Sequence, residues 1–203
     1  PLTFLEDMGF DVVRIPTGSD GVVDVDRLVD GVDDDTIIVS VMYVNNEIGA
    51  VMPVKDIARR IKEKNPNVLF HVDAIQAFGK YVIYPKRMGI DMMSISSHKF
   101  HGPKGVGALF TKDRVKVKPV IYGGGQQGGM RSGTENVPGI AGMALAAEMT
   151  YRDLDANVAH MRELKEHLID ELTQIDDVYS NSGDAPHIAS ITFKGVRSEV
   201  MLH

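Results

Sequence analysis

Cysteine is absent from the 203 residues, which excludes disulfides, zinc–thiolate sites and a cysteine nucleophile among them. A basic excess is lacking too. With 22 Lys and Arg against 28 Asp and Glu, the net charge is −6, and no nucleic-acid surface, which needs clustered cations, is expected. No apolar run approaches the ~20 residues of a membrane span, and the opening residues do not read as a signal peptide. An acidic, disulfide-free chain without a membrane segment points to a cytoplasmic globular protein. Its length suits one large domain plus part of another.

Both ends read as interrupted. Leu2 to Met8 resemble the tail of a helix, and His203 falls inside the first turns of another that follows Ser198. Between them, short apolar runs alternate with helical patterns, as in βαβ units around a mainly parallel sheet. Asp11 to Ile15 is a candidate strand before the turn Gly18-Ser19-Asp20-Gly21, and Asp24 to Val32 a short helix. Strands are expected at Thr36 to Tyr43, Val68 to Val72, Met92 to Ile95 and Val106 to Phe110, with a polar loop from Ser96 to Lys104.

Pro53 suits the first turn of a helix whose apolar face is Val54, Ile57, Ala58 and Ile61, ended by Asn65-Pro66. A further helix starts near Asn136, with Pro138 in its first turn. From Asp155 to about Ile175 one apolar stripe comprises Val158, Met161, Leu164, Leu168, Leu172 and Ile175. Ile188 to Phe193 is a strand. The division expected is a partial large domain over 1–150, then a linking helix and the beginning of a small domain over 151–203.

In an open α/β sheet, ligands sit beyond the carboxyl ends of the strands. Asn45, Asn46 and Glu47 follow one strand, Asp73 and Gln76 the next, and Ser96 to Lys99 another. These are the residue types a pyridoxal-phosphate site requires. A lysine forms a Schiff base with the aldehyde, an acid keeps the pyridine nitrogen protonated, and hydroxyls or backbone N–H groups hold the phosphate. Asp73, Lys99, the Ser96/His98 pair and Thr134 supply them.

Each also has a plainer reading. Lys99 alone is an ordinary loop lysine, and Asp73 is a favoured cap for a helix starting at Ala74. His98 and His101 are three apart but lack further ligands at metal spacing, so no metal site is expected. His160 and His167 suit a solvated helix face. Gly123 to Gly129 can be flexible only, although Arg131 and Thr134 before a helix start favour an anion-binding turn. Met92, Met93, Met143 and Met149 read as core filling.

Four stretches carry a resemblance: Val44-Asn45-Asn46-Glu47-Ile48-Gly49, His71-Val72-Asp73-Ala74-Ile75-Gln76, Ser94-Ile95-Ser96-Ser97-His98-Lys99 and Gly129-Met130-Arg131-Ser132-Gly133-Thr134. In content, order and spacing they resemble motifs of the cysteine desulfurases, a branch of the class V aminotransferase-like, fold-type I pyridoxal-phosphate enzymes. The likeness runs from about Gly21 to the end. It implies an α/β large domain of that fold, and a parent enzyme converting L-cysteine to L-alanine and an enzyme-bound persulfide for iron–sulfur cluster or sulfur-carrier assembly.

By the same resemblance, Lys99 carries the cofactor and moves the α-proton, and Asp73 pairs with the pyridine nitrogen. Gln76 donates to the phenolic oxygen, and Asn46 lies beside cofactor and substrate. Ser96 and His98 bind phosphate, and Thr134 does so across a homodimer interface. Arg131 receives no catalytic role. The family's sulfur-attacking cysteine, its carboxylate-gripping arginine, an upstream Gly-Thr phosphate loop and a ring-stacking histidine have no counterpart here, so this chain alone is expected to be inactive.

Related readings are a selenocysteine lyase or another class V aminotransferase, from which Asn45-Asn46-Glu47 and the Arg131–Thr134 stretch lean away. A catalytically silent dimerisation module is a reading of a different class. A sulfur-acceptor or scaffold protein is the partner the first reading implies.

Overall fold

The computed structural model describes residues 1–201. After α1 (Leu2–Asp7) the segment 11–16 runs without ladder bonds; Ile15 packs against the core, and a single bridge between Thr17 and Val23 follows. The strand expected at Asp11–Ile15 is therefore absent among the described residues. Its β-branched residues find no neighbouring strand, and without a ladder partner β-propensity does not make a strand.

Asp24 caps α2 (Val25–Asp30) by accepting from the Arg27 N–H at 3.0 Å. Strand β1 (Ile38–Met42) leads to α3 (Val54–Lys64), with Pro53 at its N-cap, one place earlier than expected. Val54, Ile57, Ala58 and Ile61 are all buried, and Asn65 ends the helix with its amide donating to the Asp33 carbonyl at 2.8 Å.

Next come β2 (Leu69–Asp73), β3 (Met92–Ser96) and, past a 3₁₀ turn at Ser97–Phe100, β4 (Gly107–Thr111). The four strands lie in sequence order, β1–β2 and β2–β3 parallel and β4 antiparallel. Register sets Met42 beside Asp73, and Asp73 beside Ser94. Phe70 and Val72 point into the core under α3. By the two-residue alternation of a strand, His71 and Asp73 face the other way.

Asp91, fully buried just before β3, gathers the Lys62 ammonium at 2.5 Å, that of Lys112 at 3.0 Å and the Phe70 N–H at 2.9 Å. That cluster ties α3, β2 and the residue after β4 together. A carboxylate so deep persists only when paired and hydrogen-bonded.

Helix α4 (Val137–Arg152) starts where expected. Asn136 accepts from the Gly139 N–H at 3.1 Å, and Pro138 sits in the first turn. Met149, read as core, is half exposed, whereas Met93 is buried.

Helix α5 (Leu154–Leu172) packs on only part of the stripe expected: Val158, Met161 and Leu172 face inward, but Leu164 and Leu168, 55% and 46% exposed, do not. Leu154, Lys165 and Ile169 also turn inward. Two apolar stripes exist on this helix, and loop carbonyls draw Lys165 onto the inner one.

A two-stranded antiparallel sheet follows, β5 (Val178–Ser180) with β6 (Ile191–Phe193), then the turn α6 (Ser198–Met201). β5 is too short to carry a period and was not expected. Ala185 and Ile188 of the loop between β5 and β6 join the main core.

Candidate functional site

Parallel register does the first part of the assembly. β2 ends at Asp73 and β3 at Ser96, so the chain emerging from each strand leaves the same edge of the sheet. After β2, no helix begins at Ala74. Instead the Ala74 N–H donates to the Ser94 carbonyl at 3.0 Å, and the Ala77 and Phe78 N–H groups return to the Ala74 carbonyl. Asp73 Oδ1 accepts from the Ile75 N–H at 2.9 Å, an Asx-type turn that leaves its second oxygen free. Gln76 sits half-buried within this turn.

After β3, Ser97 and Phe100 are fully buried and anchor the 3₁₀ turn, so His98 and Lys99 are presented outward. Ser96 Oγ and His98 Nδ1 are 2.9 Å apart. No described residue hydrogen-bonds the Lys99 amine.

The two turns are locked together. The Phe78 ring lies 4.7 Å from that of Phe100 and 5.1 Å edge-on from Tyr151. The Lys80 ammonium donates to the Lys99 carbonyl at 2.5 Å. Gly79, at φ +77°, makes this approach possible, because a Cβ there would stand 2.7 Å from Thr150 Cγ2 and 3.3 Å from Phe100 Cβ.

The turn after β1 is built by Asn45, whose side-chain oxygen accepts from the N–H groups of Glu47 at 2.8 Å and Ile48 at 2.9 Å. Asn46 is thereby left exposed, its amide donating to Glu47 at 2.8 Å.

Thr134 stands apart. It is exposed at the end of the glycine-rich segment, with no hydrogen bond to the Asp73, Ser96 or Lys99 turns among the described residues. Ser132 is the buried anchor there, donating to the Gly124 carbonyl at 2.8 Å. The structure thus brings together the turns bearing Asp73, Gln76, Ser96, His98 and Lys99, places Asn46 beside them on the same sheet edge, and leaves Thr134 separate.

Three titratable groups escaped the sequence reading. His71 bridges three strands, Ser40 Oγ 2.8 Å from Nδ1 and Ser94 Oγ 2.8 Å from Nε2, and burial pushes its imidazole down against the opposing charge of Asp73. Lys80 is pushed down by burial, then by Lys99. His187 is pushed down to about 4, by burial first and then by Lys80, Lys165 and Lys99. His71 lay inside a quoted motif and could have been singled out; nothing local marks His187.

As a donor set, a carboxylate, an unengaged lysine amine and a paired hydroxyl and imidazole at one sheet edge fit the needs of a phosphorylated pyridoxal group. The free Asp73 oxygen and the outward Lys99 carry that fit.

Known proteins agree with this architecture. A NifS-like protein superimposes with a TM-score of 0.96 at 39% identity, over 98% of this chain and 55% of that one. The crystal structure of DndA from Streptomyces lividans matches at a TM-score of 0.88 and 34% identity, over 99% and 58%. Among curated sequences, cysteine desulfurase IscS of Dictyoglomus turgidum is 39% identical over 208 residues, 100% of this chain and 52% of its own length. IscS of Clostridium botulinum is 41% identical over 205 residues, 98% and 51%. The chain spans about half the length of these curated relatives. The α/β arrangement is that of the fold-type I enzymes, and since the aminotransferase class-V sequence model matches residues 1–203 throughout, the chain belongs to the aminotransferase class-V family.

Proposed function

We propose that this chain is part of a pyridoxal-phosphate-dependent cysteine desulfurase that takes sulfur from L-cysteine as an enzyme-bound persulfide, releases L-alanine and passes the outer sulfur to an acceptor or scaffold protein. One observation carries the reading: Asp73 and Lys99, the acid and the amine such a cofactor needs, stand on neighbouring turns at one edge of a parallel sheet. The names of the curated relatives support the sulfur chemistry.

When bound, pyridoxal phosphate supplies an electron sink for the pair released at the substrate α-carbon. Lys99 would hold the group through its amine and would carry the substrate's α-proton. Asp73, with one oxygen free, would pair with the pyridine nitrogen and keep it protonated. Gln76 would donate to the phenolic oxygen, Asn46 would lie on the substrate side, and Ser96 and His98 would hold the phosphate. The sulfur-accepting thiol has no candidate among these residues.

A homodimer belongs to the same proposal, with Thr134 serving the partner's site. In its support, Val120, Ile121 and Tyr122 stand exposed on a segment joined at Ile121 to Arg131 by one isolated bridge, close in sequence to Thr134. The division into 1–150 and 151–203, and a cytoplasmic setting, complete it.

The test is direct. Incubation with pyridoxal phosphate, borohydride reduction and peptide mapping should place the label on Lys99. Label on another lysine, or none, would overturn the assignment.

A further inference from the structure

Strands of a parallel sheet ordinarily read as near-continuous apolar runs. β2 breaks that pattern at His71, half-buried on the face turned away from α3, with Asp73 two residues further along the same face. The neighbouring strands meet the ring with hydroxyls. Ser40 of β1 is its register partner, and Ser40 Oγ stands 2.8 Å from Nδ1. Ser94 of β3, the register partner of Asp73, lies diagonally ahead, its Oγ 2.8 Å from Nε2. Three strands are thus tied side chain to side chain.

Burial favours the neutral imidazole here. A neutral ring donates from one nitrogen and accepts at the other, and a serine hydroxyl does either, so both bonds hold whichever nitrogen carries the proton. The two arms lead to different places. β1 runs on to the turn of Asn46, which bears neither the acid nor the amine of the site. The arm to Ser94 joins the strand that ends in Asp73 to the strand that leads through Ser96 to Lys99. On the backbone, the Ala74 N–H closes the same junction by donating to the Ser94 carbonyl at 3.0 Å.

We propose that His71 is a positioning residue for the cofactor site. Its bond to Ser94 fixes the level and spacing at which Asp73 and the Ser96–Lys99 turn leave the sheet. The role rests on the pyridoxal reading of that site, and His71 acts through Asp73 and Lys99 rather than on the reacting atoms.

Three variants separate the two arms. A glutamine amide reaches the place of Nε2, an asparagine amide that of Nδ1, and phenylalanine keeps a ring that makes neither bond. Each amide variant loses one bond, so their stabilities should fall alike. In the chain without cofactor, exchange of the Ala74 N–H should quicken about tenfold in His71→Phe and His71→Asn and stay near wild type in His71→Gln. Exchange indifferent to all three would overturn the proposal. Pyridoxal phosphate is achiral, so its visible circular dichroism arises only when a chiral site holds it in one orientation. With the cofactor added, that signal per bound cofactor should persist in His71→Gln and be largely lost in His71→Asn and His71→Phe. Loss of folded chain alone lowers the total signal and leaves this ratio unmoved. A ratio equal to wild type in all three variants, or one that falls alike in His71→Asn and His71→Gln, would also overturn it. If wild type forms no chromophore at Lys99, the desulfurase reading falls and the role with it. A chromophore whose dichroism ignores His71 strikes this inference alone.

Discussion

Asp73 and Lys99 stand on neighbouring turns at one end of the sheet because β2 and β3 run parallel and end nearly level, a relation that the motifs carry in their order and spacing. Such residues are legible because each strand's end announces where its loop begins. His187 was not, since its meaning comes from Lys80, Lys99 and Lys165, brought to it by three separate segments. Its titration makes a prediction about stability. Burial first, then those lysines, push the imidazole down from 6.5 to about 4. Between those values the unfolded chain binds more protons here than the folded one. The fold is thus unpenalised above the upper value and loses stability as pH falls through the window. Discounted for solvent screening, the loss is about 1–2 kcal/mol. Urea unfolding at neutral pH and near the lower end of the window should show wild type losing more stability than His187→Gln. Equal losses would refute the burial of this group.

At the scale of elements, α3 and α5 show what an apolar period can and cannot decide. On α3 a single stripe exists, and the sequence names the buried face residue for residue. On α5 two stripes compete, and the choice falls to Lys165, whose ammonium reaches carbonyls that no helical pattern foretells. Ile57→Ala, at 0% exposure, should therefore cost about 2–5 kcal/mol. Leu168→Gln, on the outward stripe, should stay within about 0.5 kcal/mol. Paired urea titrations decide it, and comparable losses would mean that the outward stripe is packed. The strand missed at Val178–Ser180 and the one wrongly expected at Asp11–Ile15 share a cause: pairing across the sheet, not local preference, settles short extended segments. The turn after β2 makes a second test. Gly79→Ala would place a methyl 2.7 Å from Thr150 at a positive φ, so it should destabilise the chain by about 1–3 kcal/mol. It should also lower the yield of pyridoxal label at Lys99, whose carbonyl Lys80 holds. Unchanged melting together with unchanged labelling would show that this contact relaxes freely.

For the molecule as a whole, the sheet has one covered face and one open one. Phe70 and Val72 lie sealed under α3, while Ile38 and Leu109 stand 45% exposed on the face that bears His71 and Asp73. Parallel sheets are ordinarily covered on both sides, and the curated relatives are about twice as long as this chain. The class of fold was legible from alternating elements. Which surfaces lie open was not, because exposure depends on neighbours that periodicity cannot name. Val120 is 90% exposed and Tyr122 77%, an apolar patch beside the glycine-rich segment that ends at Thr134. Contiguous exposed apolar surface of this kind seeks a partner. If a second copy supplies it, the chain should sediment above its 22.2 kDa in the micromolar range and approach that mass on dilution. Val120→Asp with Tyr122→Asp should shift the balance to monomer, because a buried unpaired carboxylate at each position opposes association. Secondary structure should be unchanged, since neither side chain enters the core. A wild-type chain that runs as a monomer throughout, or a double variant that associates equally well, would remove this patch from the dimer and leave Thr134 without a route to a partner's site.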